Sequence, residues 1–239
     1  MIKKLFEKIF NKIKKKQILQ TQLINKRIKG HTKRFQFYKE QKFPFKKVLD
    51  IGACDGSWTV LFKKIFPESD VLMIEGNTDK EKILKSIGEY RIALLSCEDN
   101  KEVNYYKGLD GGSLGNSIYE ENTQFKFVSE KRTTKTLNSL LGPDKDFDLI
   151  KIDVQGSELD IIKGGVEIIK NTKFLLLELQ MLEYNKGAPR IEEIILFLKN
   201  LDFDFVDIFD LLYSSNGSLV QLDGFFVNNR FNNLKINFN

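Results

Sequence analysis

Cysteine, histidine, tryptophan and proline are all scarce in this chain of 239 residues, at two, one, one and four. The cysteines, Cys54 and Cys97, stand far apart with no Cys-x-x-Cys pair, so a disulfide framework and a structural zinc finger are both excluded. Long apolar runs are missing too. The nearest approach to a membrane span, 174–182, is broken by Glu178 and Gln180 and falls well short of the roughly 20 residues required. No internal repeat occurs, and the lysine-rich start is the one biased tract. What is present is globular: 41% hydrophobic, 30% charged and 12% aromatic residues, in a chain long enough to bury about 70% of its unfolded surface around one core.

The formal charge of +5 conceals an asymmetry. Residues 1–47 hold 16 Lys/Arg against Glu7 and Glu40, a net of +14, which leaves the other 192 residues at 5 − 14 = −9. Within 1–17, Ile2, Leu5, Phe6, Ile9, Phe10 and Ile13 recur at helical spacing with lysines on the other faces, the pattern of an amphipathic basic helix. Lysines every few positions deny it the unbroken apolar stretch of a secretory signal, so a cytoplasmic protein is expected. The basic amphipathic segment 1–17 has four candidate partners: the domain's own surface, a second copy in a homo-oligomer, the anionic inner face of a membrane, or nucleic acid.

From residue 47 onward, short β-branched and apolar runs alternate with helical periodicity, which argues for βαβ units and a mostly parallel sheet with helices on both faces. Strands are expected over 47–51, 70–75, 90–95, 148–153, 173–180, 203–209 and 224–228, and helices over 57–66, 78–87, 157–169 and from Pro189. The domain organisation is thus a basic helical extension, 1–46, and one α/β domain, 47–239. Between about 97 and 146 the alternation fails. This stretch reads as an insertion, with short extended pieces at 103–106 and 126–135 and a mobile glycine-rich loop at 111–117.

Three clusters carry chemistry. The first strand runs into Asp50-Ile51-Gly52-Ala53-Cys54-Asp55-Gly56 and turns directly into a helix, where glycines admit a ligand close to the backbone and the helix start offers unpaired N–H groups. Cys54 and Ser57 occupy the second and third glycine positions of a dinucleotide fingerprint, which weakens a pyrophosphate reading and suits a phosphate-free nucleoside such as S-adenosylmethionine. Glu75, at the tip of the second strand, can accept both hydroxyls of a ribose; by itself it also fits NAD. Asp50 and Glu75 have an ordinary alternative as strand-end carboxylates that cap the next helix. The third cluster, Lys151-Ile152-Asp153-Val154-Gln155-Gly156-Ser157-Glu158, delivers Lys151 and Asp153 to the carboxyl end of a buried strand. It lacks the prolines and aromatic of the Asn/Asp-Pro-Pro-aromatic motif, which argues against a nucleic-acid substrate.

Together with Ile162-Lys163-Gly164-Gly165 and the closing Asp223-Gly224-Phe225-Phe226-Val227, these clusters make the chain resemble the FkbM-type S-adenosylmethionine-dependent methyltransferases over roughly 47–228. The resemblance implies a Rossmann-like class I methyltransferase fold, a seven-stranded mostly parallel sheet with an antiparallel last strand. It implies S-adenosylmethionine held by Asp50, Gly52, Ala53, Cys54, Gly56, Glu75, Gly76, Asn77, Ser96 and Asp153. The activity it implies is O-methylation of a sugar or glycan hydroxyl, on a surface polysaccharide or a lipid-linked glycan. A lipid, small-metabolite or protein acceptor, or a nucleoside-binding module without catalysis, are the alternatives. Cys54 stands where the family usually has Asn, and Gln155 where it often has Glu.

A sugar hydroxyl is a weak nucleophile until a base takes its proton. Asp153 and Glu178, at the ends of neighbouring strands, are the leading base candidates, followed by Glu158, whose first-turn position equally suits a helix cap. Asp153 and Glu178 could also hold a divalent cation, but no ligand-spaced cluster accompanies them and none is expected. Lys151 reads as the partner of a buried carboxylate, and His31 as a packing or solvated residue outside the catalytic pattern.

Overall fold

The computed structural model describes residues 29–109, 115–123, 126–214 and 216–231. The amphipathic segment 1–17 and most of the 111–117 loop lie outside the described residues.

Seven strands form one sheet: β1 (Lys47–Ile51), β2 (Asp70–Glu75), β3 (Tyr90–Ile92), β6 (Leu149–Ile152), β7 (Phe174–Gln180), β8 (Phe203–Tyr213) and β9 (Leu219–Asn228), in the order β3-β2-β1-β6-β7-β9-β8. The first five run parallel, and β9 is antiparallel to both β7 and β8. The antiparallel last strand is therefore slotted inside the sheet, and β8 forms its margin. All four residues of β6 and all seven of β7 are buried, the unbroken pattern of central strands covered on both faces. The order reverses between β1 and β6, and at that switch point an open parallel sheet leaves a crevice beyond its carboxyl ends.

Residues 29–40 form helix α1, followed by α2 (Ser57–Ile65), α3 (Glu81–Lys85), α4 (Leu137–Leu141), α5 (Glu158–Gly164), α6 (Val166–Lys170) and α7 (Ile191–Lys199). Strands β4 (Glu102–Gly108) and β5 (Phe127–Thr133) make a separate antiparallel pair within the insertion. No helix among the described residues is long and apolar enough to cross a membrane.

Several elements depart from their expected bounds. The expected strand over 90–95 leaves the ladder after Ile92, because Leu95 bridges to Lys135 in the insertion. The expected helix over 78–87 begins as a 3₁₀ turn, Thr78–Lys80, under an Asn77 side-chain cap. The single helix over 157–169 is two helices broken at Gly164-Gly165, where α5 lies so close to the chain after β3 that a Cβ on Gly164 would meet the Ser96 carbonyl oxygen at 2.2 Å. Strands β8 and β9 are longer than their apolar runs, since their pairing continues through polar residues.

Among the described residues two large cores flank the sheet, beside a small cluster of Ala53, Met73 and Leu84. One lies among β1, β6, β7 and helices α5 to α7, built largely from Ile and Leu. The other is aromatic. Phe35 and Tyr38 from α1 pack with Phe45, Phe62, Phe174, Phe209 and Phe225, and the Phe35 ring meets Phe209 at 4.9 Å and Phe62 at 5.0 Å, both edge-on. Such edge-to-face pairs add to the area they bury. Substituting Phe35→Ala should cost about 3–5 kcal/mol in a urea titration, the scale of an aromatic core truncation, and a loss under about 1 kcal/mol would show that α1 does not dock as described.

Candidate functional site

The turn after β1 folds back on β2. The N–H groups of Gly52 and Ala53 donate to the Ile74 carbonyl, and the Cys54 N–H donates to Glu75 Oε2 at 2.7 Å. Gly52 has φ +77°, and a Cβ there would stand 1.9 Å from the Asp153 carbonyl oxygen, so no other residue lets the β1 and β6 turns approach this closely. Gly56, also at positive φ, opens α2. Cys54 has φ +52°, a left-handed conformation that Asn tolerates better than most residues, so the family's usual Asn suits the backbone at this position.

Glu75 receives a second N–H, from Asn77, on Oε1 at 2.7 Å. Burial pushes its carboxyl above the ordinary range, and those two N–H bonds oppose the shift. The insertion closes over it. Tyr105 from β4 is buried against Gly76, its phenol raised by burial and by the Glu75 charge, and Arg132 from β5 caps the Tyr105 ring and donates to the Gly76 carbonyl at 3.0 Å.

Asp50 is fully buried. Its oxygens accept from Lys151 Nζ at 3.0 Å and Thr59 Oγ1 at 2.7 Å. Asp50 thus lies in the site floor, where it anchors Lys151. Lys151 also lies 3.4 Å from Asp153 Oδ2, with its ammonium over the Trp58 ring. Ser96 sits under α5 with its N–H on the Lys135 carbonyl, while Gly76, Asn77 and Ala53 line the β1–β2 side.

On the other side of Asp153 the side-chain amide of Gln155 donates to Asp153 Oδ1 at 3.3 Å and to Glu178 Oε2 at 2.6 Å, and Gln221 from β9 donates to Glu178 Oε1 at 2.6 Å. Gln155 is at φ +59°. The structure thus brings Asp153 and Glu178 together, as expected of neighbouring strand ends. Their exposure differs: the Asp153 side chain keeps 16% of its surface, whereas Glu178 is 2% exposed. The insertion docks here as well, because Ser117 Oγ donates to the Gln155 carbonyl.

Glu158 is buried and accepts the N–H groups of Val154 and Gly156 on Oε1, which ties the turn after β6 to the first residue of α5. Beyond it, a polar hollow of about 200 Å³ lies between the insertion and the 184–187 turn, lined by Tyr106, Glu120, Glu121, Asn122, Thr123, Phe127, Ser129 and Lys186. Sequence reasoning missed Tyr105, Arg132, Gln221 and Trp58. Trp58 was visible as part of the apolar face of α2, while nothing in the sequence marked the other three.

Burial, outweighing those N–H bonds, pushes the Glu158 carboxyl from 4.5 up to about 7. The folded protein therefore holds this proton more tightly than the unfolded chain, so the contribution of Glu158 is favourable at low pH and is lost as pH rises from 4.5 to about 7. Glu158→Gln keeps an oxygen for both N–H groups and removes the titration. Between pH 5 and pH 8 the stability of the variant should improve relative to wild type by on the order of 2 kcal/mol in urea titrations. A constant gap would show that Glu158 does not change its proton occupancy on folding.

No curated protein matches the chain significantly in sequence. Among solved structures, magnesium protoporphyrin IX methyltransferase from Synechocystis PCC 6803 is 9% identical with a TM-score of 0.46, over 83% of this chain and 79% of that one. The bifunctional kinase-methyltransferase WbdD is 13% identical with a TM-score of 0.47, and 86% of this chain covers 39% of it. A TehB-like methyltransferase from Corynebacterium glutamicum is 12% identical with a TM-score of 0.42, over 83% and 87%. The methyltransferase FkbM domain matches residues 50–205, which run from the buried Asp50 through Glu75, Lys151, Asp153 and Glu178. The chain therefore belongs to the FkbM methyltransferase family.

Proposed function

We propose that the protein transfers a methyl group to a sugar hydroxyl of a glycan, such as a surface polysaccharide or a lipid-linked glycan. One observation carries the reading: at the crevice beyond β6 and β7, a partly exposed carboxylate, Asp153, is held in place by Lys151 and by the amide of Gln155, with Glu178 buried behind that amide. The site's residues fit S-adenosylmethionine. Glu75 accepts one N–H on each oxygen and has a second lone pair on each for ribose hydroxyls, and the Gly52–Gly56 turn places bare backbone at the crevice. When bound, S-adenosylmethionine supplies a methyl group on a sulfonium that departs as a neutral thioether.

The chain's own residues then have separable tasks. Glu75, Asn77 and the turn after β1 hold the nucleoside. Asp153 accepts the proton of the attacking hydroxyl, and Glu178 orients Gln155, which orients Asp153. Transfer is an in-line displacement, so holding the acceptor oxygen in line and keeping water out are the protein's main contributions. The polar hollow beside the 184–187 turn, with carboxylate, amide, hydroxyl and lysine groups, suits a hydroxyl-rich acceptor better than an acyl chain.

Two measurements test this. With a panel of methyl glycosides of common hexoses and deoxyhexoses as acceptors, Asp153→Asn should lower kcat by about 10²–10⁴, the range of a lost general base, with S-adenosylhomocysteine affinity kept within about threefold. Parallel loss of both would move Asp153 to cofactor binding or folding. In calorimetry, Glu75→Ala should weaken S-adenosylhomocysteine binding by about 1–3 kcal/mol, and unchanged affinity would take Glu75 out of the nucleoside site.

A further inference from the structure

The single histidine of the chain lies in α1, ahead of the residues that match the family, and it is buried with two side-chain partners. Trp58 Nε1 donates to His31 Nδ1 at 3.1 Å, and His31 Nε2 lies 2.7 Å from Asp223 Oδ2. An indole N–H can only donate, so Nδ1 must accept, and the imidazole proton sits on Nε2, where it donates to the carboxylate. Both partners adjoin the proposed transfer site. Asp223 stands directly across the β7–β9 ladder from Glu178, on the same face of the sheet, with Gln221 two residues away on that face bonded to Glu178. Trp58 follows the Gly56 turn by two residues, stacks on Phe62 at 5.1 Å and lies 5.4 Å from the Lys151 ammonium that pairs with Asp50 and Asp153.

We propose that His31 is a positioning residue of the methyl-transfer site: a neutral imidazole that ties the Trp58 indole on the β1 side to Asp223 on the β7–β9 side, across the crevice where Lys151, Asp153 and Glu178 meet. The inference rests on the reading that Asp153, held by Lys151 and by Gln155 with Glu178 behind it, faces the acceptor. It makes α1 part of the catalytic architecture, although the family match begins after it. The indole is fixed at three points, by its N–H, by Phe62 beneath it and by Phe35 at its edge, so its remaining surface is a rigid wall for whatever lies over Lys151. Asp223 receives its proton donor from the same ring, which fixes the carboxylate opposite Glu178.

The test uses the fact that the chain has one histidine and one tryptophan. In ¹⁵N-histidine-labelled protein, the one imidazole should report the Nε2–H neutral tautomer at pH 7; the Nδ1–H tautomer would overturn the proposal. His31→Phe keeps the ring contacts with Phe35 and Phe209 and removes both hydrogen bonds. It should shift the Trp58 emission and lower kcat on the methyl glycoside panel at least tenfold, with S-adenosylhomocysteine affinity within threefold of wild type. His31→Gln, whose amide offers an acceptor and a donor at nearly the imidazole spacing, should restore the emission and most of kcat. Unmoved emission, kcat within twofold of wild type, or equal loss in the Phe and Gln variants would overturn it. Should His31→Phe fail to fold, Trp58→Phe removes the same N–H donor from a partly exposed site, and kcat within twofold of wild type in that variant would overturn the proposal. If wild type methylates none of the glycosides, the sugar reading fails, while the Nδ1–H tautomer or unmoved Trp58 emission in His31→Phe would still overturn the role of His31.

Discussion

The ion pair between Asp50 and Lys151, 3.0 Å long and sealed from solvent, sits where β1 meets β6, and the positions of the other site residues depend on it. The two residues are direct partners in the parallel ladder, one strand end supplying the anion and the next the cation. Taking two charges out of water is costly, and the cost is met only when every remaining lone pair and proton finds a partner. Thr59 completes the anion's shell from α2, and Asp153 and the Trp58 ring complete the cation's. The pair thus ties α2, β1, β6 and the turn beyond β6 into one arrangement. Removing either partner alone would strand a buried charge, a loss on the order of 3–5 kcal/mol.

Much of this was legible in the sequence. The bounds of β1 and β2 follow from their apolar runs, and the Asp50–Gly56 turn, Glu75 and the Lys151–Glu158 block all come to the crevice as their strand-end positions required. Lys151 is the partner of a buried carboxylate, as its place in a continuous apolar strand suggested. Directions of side chains were harder to read. Asp50 alternates with Leu49 and Ile51 in a strand covered on both faces, so the sequence could not tell a carboxylate aimed at a ligand from one aimed into the floor.

What stayed hidden depends on contacts between distant segments. The break at Gly164-Gly165 looks like uninterrupted helical periodicity until the chain after β3 is laid against it. His31 carries no local signal at all: its partners are 27 and 192 residues away. The placement of Glu178 behind Gln155, and therefore the different exposure of two carboxylates that read alike in the sequence, comes from a left-handed residue at 155 that turns an amide back toward β7.

The insertion of β9 between β7 and β8 leaves β8 as one margin of the sheet and the three-residue β3 as the other. Strand β8 is eleven residues long, a length that would ordinarily invite another strand to pair with it. Its ladder with β9 slips in three places, and Asp204, Asp207 and Asp210 are spaced along it, the first two in ion pairs with Lys199 and Arg34. Among the described residues, an irregular, acid-bearing margin on one side and a stub on the other give the sheet no straight edge on which a second chain could extend it, so these strands resist growing into a fibre by the same backbone pairing that holds them together.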